Sequence, residues 1–126
     1  MKKNNILITG GLGFIGSNFI HYVKNNRNEI NNIINLDLKT YSSNIENLKN
    51  LEFENYSFIQ GDINDHKLIS KILEEQEINL IVHFAAESHV DRSIIDPKAF
   101  MITNVMGTYQ LLMQAQSYIK KYDKER

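Results

Sequence analysis

Four glycines crowd into seven positions, at 10, 11, 13 and 16, in the run Thr9-Gly-Gly-Leu-Gly-Phe-Ile-Gly16. Glycine leaves room for a tight turn and for a ligand to approach the backbone. In this spacing Gly10 and Gly11 allow the turn, Gly13 lets a pyrophosphate come close, and Gly16 lets a helix pack against a strand. A second chemical residue follows at a telling distance. Asp37 lies 21 residues beyond Gly16 and closes the run Ile33-Ile34-Asn35-Leu36. An acid there accepts hydrogen bonds from an adenine-ribose diol, and its charge repels a 2′-phosphate. The two parts together describe a dinucleotide site that favours NAD over NADP, although Lys39 stands nearby. The plainer alternative is a glycine turn that closes a loop and an Asp that caps one.

Further candidates sit later in the chain. Asp62 either caps a loop or accepts from an adenine amino group. Ala85 and Ala86 are small where a cofactor needs room, or simply where packing is tight. Glu87, Ser88, His89, Asp91 and Arg92 fall within six residues and admit three readings. The stretch is a solvated loop, a metal site using His83, Glu87, His89 and Asp91, or a substrate-facing loop in which His89 and Arg92 meet phosphate or sugar hydroxyls. No ligand spacing matches a standard metal site, and the substrate-facing loop is preferred.

The elements that must position these residues alternate strand and helix. Ile6-Leu-Ile8 reads as a buried strand before the glycine turn. A helix opens near Phe14, with Ile15, Phe19 and Val23 four apart. Residues 25 to 32 are polar and read as a loop, Ile33 to Asp37 as the second strand, and Tyr56 to Gln60 as the third. Ile45, Leu48 and Leu51 are spaced for one short helix. Asp65 to Gln76 is helical by its apolar spacing, with Asn64 or Asp65 as cap. Ile78 to Phe84 is the fourth strand. Asp96-Pro97, a cap followed by proline at the first helical position, starts a long helix running to about Tyr122. Such alternation implies an α/β fold, a Rossmann-like parallel sheet flanked by helices and carrying about four strands. In folds of this kind the ligand crevice lies beyond the carboxyl ends of the strands.

Composition narrows the function classes. At 126 residues the chain is at most one ordinary domain, and 42% apolar residues suffice for a core. Fourteen basic residues against fifteen acidic ones give a net charge of −1, so no nucleic-acid or membrane surface is expected. No apolar run is long enough to span a bilayer. The charged start Met-Lys-Lys-Asn-Asn leads into a strand rather than a secretory signal. Zero cysteines exclude disulfides and thiolate metal sites and fit a cytoplasmic protein.

These residues resemble the N-terminal part of the extended short-chain dehydrogenase/reductases, most closely the dTDP-glucose 4,6-dehydratases. The similarity rests on Thr9 to Gly16, Asn35-Leu-Asp-Leu-Lys-Thr-Tyr-Ser-Ser-Asn44, Gly61-Asp-Ile63, His83-Phe-Ala-Ala-Glu-Ser-His-Val-Asp-Arg-Ser-Ile94 and Thr103-Asn-Val-Met-Gly-Thr108. The glycine turn belongs to the whole superfamily, whereas Ala86-Glu-Ser-His-Val-Asp-Arg-Ser93 and Asp37-x-x-Thr-Tyr-x-x-Asn44 are far more specific to these dehydratases. The resemblance implies that Phe14 and Ile15 offer backbone to the pyrophosphate. It implies that Asp37, Leu38, Lys39 and Thr40 hold the adenosine ribose, with Asp62 and Ile63 flanking the adenine. Phe84, Ala85, Ala86, Glu87 and Ser88 would line the path from cofactor to sugar, with Ser88 reaching the substrate. Thr103 would touch the cofactor and Asn104 would help order the site. The implied reaction is an internal redox on dTDP-glucose, giving a 4-keto-6-deoxy sugar with NAD regenerated, in an enzyme that dimerises through its long helices.

One departure limits what the resemblance carries. The family's base is the Tyr of a Tyr-x-x-x-Lys motif, and none is present. Tyr22, Tyr41, Tyr56, Tyr109, Tyr118 and Tyr122 are followed four positions on by Asn26, Ile45, Gln60, Met113, Tyr122 and Arg126. The Thr-Asp-Glu segment and the nucleotide-holding domain are also absent. The chain therefore reads as residues 1–126 of a longer enzyme, its NAD-binding part, with no catalytic residue of its own.

Overall fold

The computed structural model describes residues 3–39, 44–48 and 54–124. Thr40, Tyr41 and Leu51, named above, lie outside the described residues. Four strands, β1 (Asn4–Thr9), β2 (Ile30–Asp37), β3 (Tyr56–Gln60) and β4 (Leu80–His83), form one parallel sheet in the order β3-β2-β1-β4. The helices are α1 (Phe14–Asn26), α2 (His66–Glu75), α3 (Val90–Ile95), α4 (Pro97–Phe100) and α5 (Thr108–Lys124). A 3₁₀ turn covers Ile45–Leu48, and a π-helical segment, Met101–Gly107, joins α4 to α5.

Strand side chains alternate between the two faces of a sheet, and each face here has its own cover. Leu7, Ile34 and Leu36 pack against Ile69, Ile72 and Leu73 of α2 and Leu111 of α5. Ile6, Ile8 and Ile33 pack against Ile20 and Val23 of α1, with Leu48 of the 3₁₀ turn. A fully buried Ile or Leu contributes about 1.5–3 kcal/mol, so both faces must be covered for strands this apolar to persist. The Asp65 carboxylate caps α2 by accepting from the Leu68 N–H. Asp96 does the same for Ala99 at α4, where Pro97 takes the first turn.

The structure moves several expected boundaries. Strand β2 begins at Ile30, inside the run expected to be a loop. Asn31 and Asn32 both donate to the Asn5 side-chain oxygen, at 3.0 and 3.2 Å. Pairing with β1 thus overrides asparagine's poor strand preference. Strand β4 is shorter than expected, yet Asn79 N–H and Phe84 N–H still donate to Asn5 and Thr9 of β1. The stretch expected as a substrate-facing loop enters α3 at Val90. The long helix after Pro97 is continuous to Lys124 but passes through the π-helical turn, a departure that spacing alone does not announce. π-helical turns concentrate at functional sites.

Candidate dinucleotide site

The carboxyl ends of β1, β2 and β4 converge on the glycine turn. Gly10 N–H donates to Leu36 O at 2.9 Å, and Phe84 N–H donates to Thr9 O at 2.9 Å. Gly10 has φ +71, and a Cβ there would run into the backbone of Phe84 and Ala85, so both conformation and space require glycine. At Gly11 a Cβ would overlap the Asn35 side chain, and at Gly16 it would overlap the Gly10 carbonyl oxygen. Gly13 is different. Its φ is −73, and a Cβ there meets only the Gly10 carbonyl oxygen, at 3.4 Å. Nothing among the described residues demands glycine at position 13.

Gly13 is also the N-cap of α1, and among the described residues no side chain caps that helix. The first N–H groups of a helix have no partner inside it and, with the helix dipole, favour an anion. Ser17 N–H, the first to bond back, donates to Gly13 O at 3.0 Å. Phe14 and Ile15 stand at the mouth of the turn, 81% and 67% exposed. The start of α1 thus combines a turn whose one side chain, Leu12, is buried with a glycine that packing among the described residues does not require.

Two buried side chains hold the turn in shape. Asn35 Oδ1 accepts from Gly11 N–H at 3.1 Å, while its Nδ2 donates to the Tyr56 hydroxyl at 3.0 Å. Burial pushes the Tyr56 pKa up, as does the nearby Asp37 charge, against the lowering effect of the Asn35 contact. Asp37 Oδ2 accepts from Leu12 N–H at 3.0 Å, and Oδ1 accepts from Lys39 N–H at 2.7 Å. Asp37 thus belongs to the turn structurally as well as standing at the ribose position expected from sequence. Leu38 is exposed and Lys39 adopts φ 62 beside it. An asparagine inside an apolar strand is the signal the sequence carries for Asn35.

The remaining expected residues divide. Asp62 Oδ1 accepts from Asn64 N–H at 2.8 Å, the loop-capping geometry. Ile63 turns its side chain into the core against Gly107, so only its backbone faces outward chemistry. Phe84 packs on Phe19 of α1 with ring centroids 5.3 Å apart. Ala85 and Glu87 are half-buried, while Ala86 and Ser88 are exposed. Asn104, from the π-helical segment, grips Glu87 at both backbone atoms. Its Oδ1 accepts from Glu87 N–H at 2.8 Å and its Nδ2 donates to Glu87 O at 2.9 Å. Thr103, its neighbour, is half-buried. His89 occupies the N-cap position of α3 without a side-chain capping bond and Arg92 lies on the helix, both exposed.

His83 does not take part in a metal cluster. Both ring nitrogens meet hydroxyls, Nδ1 that of Thr9 at 2.6 Å and Nε2 that of Thr108 at 3.0 Å. Among the described residues no group of three or more His, Asp or Glu side chains is placed to hold a metal ion. Burial lowers the His83 pKa below the ordinary histidine value. The unfolded chain therefore takes up a proton first as pH falls, and protonation favours unfolding. Stability contributed by neutral His83 is complete above the unfolded histidine pKa and is lost as pH drops through the folded one. Thermal melts between pH 7.5 and 5 are expected to show a falling midpoint, with a shallower fall in His83→Gln. An identical slope in that variant would remove His83 as the cause.

Two clefts of the molecule lie elsewhere. One of about 430 Å³ borders α2 at Lys67 and Lys71. One of about 480 Å³ lies at the opposite sheet edge beside Asn5, Glu77 and Tyr118. Neither contains a buried polar side-chain atom lacking a partner among the described residues.

Fold and site together define a Rossmann-type α/β protein with its glycine turn at the carboxyl ends of the strands. The chain belongs to the GDP-mannose 4,6 dehydratase family, whose profile matches residues 7–126. It is 42% identical over 122 residues to a dTDP-glucose 4,6-dehydratase of Shigella flexneri, an alignment covering 96% of this chain and 33% of that protein. Among solved structures it is similar to DesIV, a dTDP-glucose 4,6-dehydratase from Streptomyces venezuelae crystallised with NAD bound. That match has a TM-score of 0.85 and 41% identity, covering 90% of this chain and 36% of DesIV. A UDP-glucose 4-epimerase from Thermotoga maritima matches at TM-score 0.78 and 31% identity, covering 90% of this chain and 34% of the epimerase. The chain spans about a third of the length of the curated relatives it matches. No described helix is long and apolar enough to cross a membrane.

Proposed function

We propose that residues 1–126 form the NAD-binding domain of a dTDP-glucose 4,6-dehydratase. The observation that carries the cofactor reading is Gly13, a glycine the fold does not need, at the uncapped start of α1. The greater identity to a dehydratase than to an epimerase favours dehydration over epimerisation. When bound, NAD supplies a reversible hydride acceptor for sugar C4, which lets water leave across C5 and C6.

In this reading the N–H groups of Phe14 and Ile15 hold the pyrophosphate. Asp37, Leu38, Lys39 and Thr40 hold the ribose, and Asp62 and the Ile63 backbone border the adenine. Phe84 to Ser88 and Thr103 line the way to the sugar, where Ser88, His89 and Arg92 meet the nucleotide-linked substrate. The proton-moving Tyr-Lys pair and the nucleotide subsite come from chain beyond these residues, so the domain alone does not turn over. The absence of cysteine fits a cytoplasmic enzyme. Dehydratase activity on dTDP-glucose from an enzyme containing this domain, with no net consumption of NAD, is the expected result. Epimerase or decarboxylase activity instead would overturn the substrate reading.

Asp37→Asn tests the ribose assignment. It keeps an acceptor for one backbone N–H but removes the charge that repels a 2′-phosphate. Charged hydrogen bonds contribute about 1.5–3 kcal/mol, so calorimetry is expected to show NAD affinity falling roughly 10-fold or more. The preference for NAD over NADP should narrow at the same time. An unchanged preference would place the ribose elsewhere.

The helical stretch after Pro97 supports the homodimer implied for the longer enzyme. Met101, Val105, Tyr109 and Leu112 are each half or more exposed, as are Ile94 and Ile95 of α3. Apolar surface of this kind marks contact sites. The 126-residue chain is expected to self-associate at micromolar concentration in sedimentation experiments. A stable monomer at high concentration would contradict that role.

A further inference from the structure

His83 connects three elements through a chain of hydrogen bonds whose direction can be worked out. Ala85 N–H donates to Thr9 Oγ1 at 3.3 Å, and Thr9 Oγ1 lies 2.6 Å from His83 Nδ1. On the other side His83 Nε2 lies 3.0 Å from Thr108 Oγ1, whose hydroxyl donates to Asn104 O at 2.8 Å. The Thr108 proton is thereby committed to Asn104, so Thr108 Oγ1 accepts from His83 Nε2–H. Nδ1 is then bare and accepts the Thr9 proton. Thr9 is fully buried, and either the other tautomer or the imidazolium would leave its hydroxyl proton with no acceptor among the described residues, at the cost of an unmade buried hydrogen bond. Burial, which lowers the His83 pKa, works toward the same neutral ring.

Both ends of the chain reach the segment after β4. Through Thr9 it holds Ala85 N–H, and through Thr108 it braces the π-helical turn whose Asn104 side chain grips Glu87. Gly107, in the same turn, sits so close to Ile63 that a Cβ would overlap it, leaving the turn little freedom to shift. We infer that His83 is a positioning residue, held as its Nε2–H tautomer between Thr9 and Thr108 so that Ala85 to Glu87 keep their course along the site. The cofactor side of this inference rests on the reading of that site as an NAD site.

The test uses the 126-residue chain and two independent readouts. Long-range ¹⁵N–¹H NMR of the imidazole at neutral pH is expected to show Nε2 protonated and Nδ1 bare. The opposite tautomer, or a rapidly exchanging mixture, overturns the inference. Thr108→Val keeps shape and removes the hydroxyl. Losing one such bond corresponds to roughly 3- to 10-fold, and amide exchange at Glu87 should accelerate by about that factor while Ile8 and Ile34 in the sheet stay protected. NAD affinity should weaken to a similar degree, and Thr108→Ser should restore both. Unchanged exchange at Glu87, or acceleration spread evenly through the sheet, contradicts the local role. Failure of the parent chain to bind NAD, with tautomer and exchange as expected, sinks the cofactor reading and leaves the positioning of Ala85 to Glu87 supported.

Discussion

Gly13→Asp is expected to abolish NAD binding while leaving the chain as stable as before, or slightly more so. Position 13 has an ordinary φ and open space for a side chain. Aspartate is a better N-cap than glycine by a few tenths of a kcal/mol, and its charge gains about 0.3–1 kcal/mol from the helix dipole. The folded protein therefore has reason to accept it. A pyrophosphate does not, because the carboxylate would occupy the anion's place and repel it. Two like charges about 4 Å apart at an effective dielectric near 20 cost about 4 kcal/mol, which predicts a loss of at least about 100-fold in affinity. Thermal melts check the first half of this expectation and calorimetry the second. A variant that melts far below the parent would show that glycine at 13 serves the fold after all.

Gly16→Ala is expected to act the opposite way, as a folding defect first. In the body of an exposed helix, replacing glycine by alanine usually gains about 1 kcal/mol. Here the new methyl would overlap the Gly10 carbonyl oxygen and press on the Gly11 backbone. Backbone cannot swing aside as the end of a flexible side chain can, so α1 must move away from the turn. Overpacking of this kind costs about 1–3 kcal/mol, and the displaced helix start also carries the phosphate-facing N–H groups. The expected result is a lower melting temperature accompanied by weaker NAD binding. A gain in melting temperature would mean that α1 has slack the geometry denies.

The contrast between these two glycines shows what sequence alone could convey. Spacing indicated that all the motif's glycines mattered, and it assigned the ligand-facing role to Gly13 and the packing role to Gly16. The added-Cβ geometry shows the packing role at Gly16, and at Gly13 it shows open space. The parallel sheet and its flanking helices were equally legible, because apolar runs and apolar helix faces repeat with different periods. Boundaries were less so. Asn31 and Asn32 read as loop residues, and only their shared partner Asn5 across the sheet explains why they lie in β2.

The polar framework of the site was mostly illegible for a related reason. Asn35 and Thr9 are fully buried, and their roles depend on Gly11, Tyr56, His83 and Ala85, residues brought in from other elements. The role of His83 was hidden because its partners, two threonines 74 and 25 residues away, carry no sequence signature. The π-helical turn was hidden as well, since its cause is tertiary, in the Asn104 grip on Glu87 and the tight seat of Gly107. Asn104 itself was expected to order the site from the family resemblance, and its two bonds to Glu87 are such an ordering contact.

Calorimetric titration of the folded 126-residue chain with NAD measures directly whether this glycine turn holds a dinucleotide. The predicted result is saturable binding at one NAD per chain, stronger than for NADP and lost in Gly13→Asp. Folded protein that takes up no NAD, or that binds it equally well with aspartate at position 13, would contradict the account.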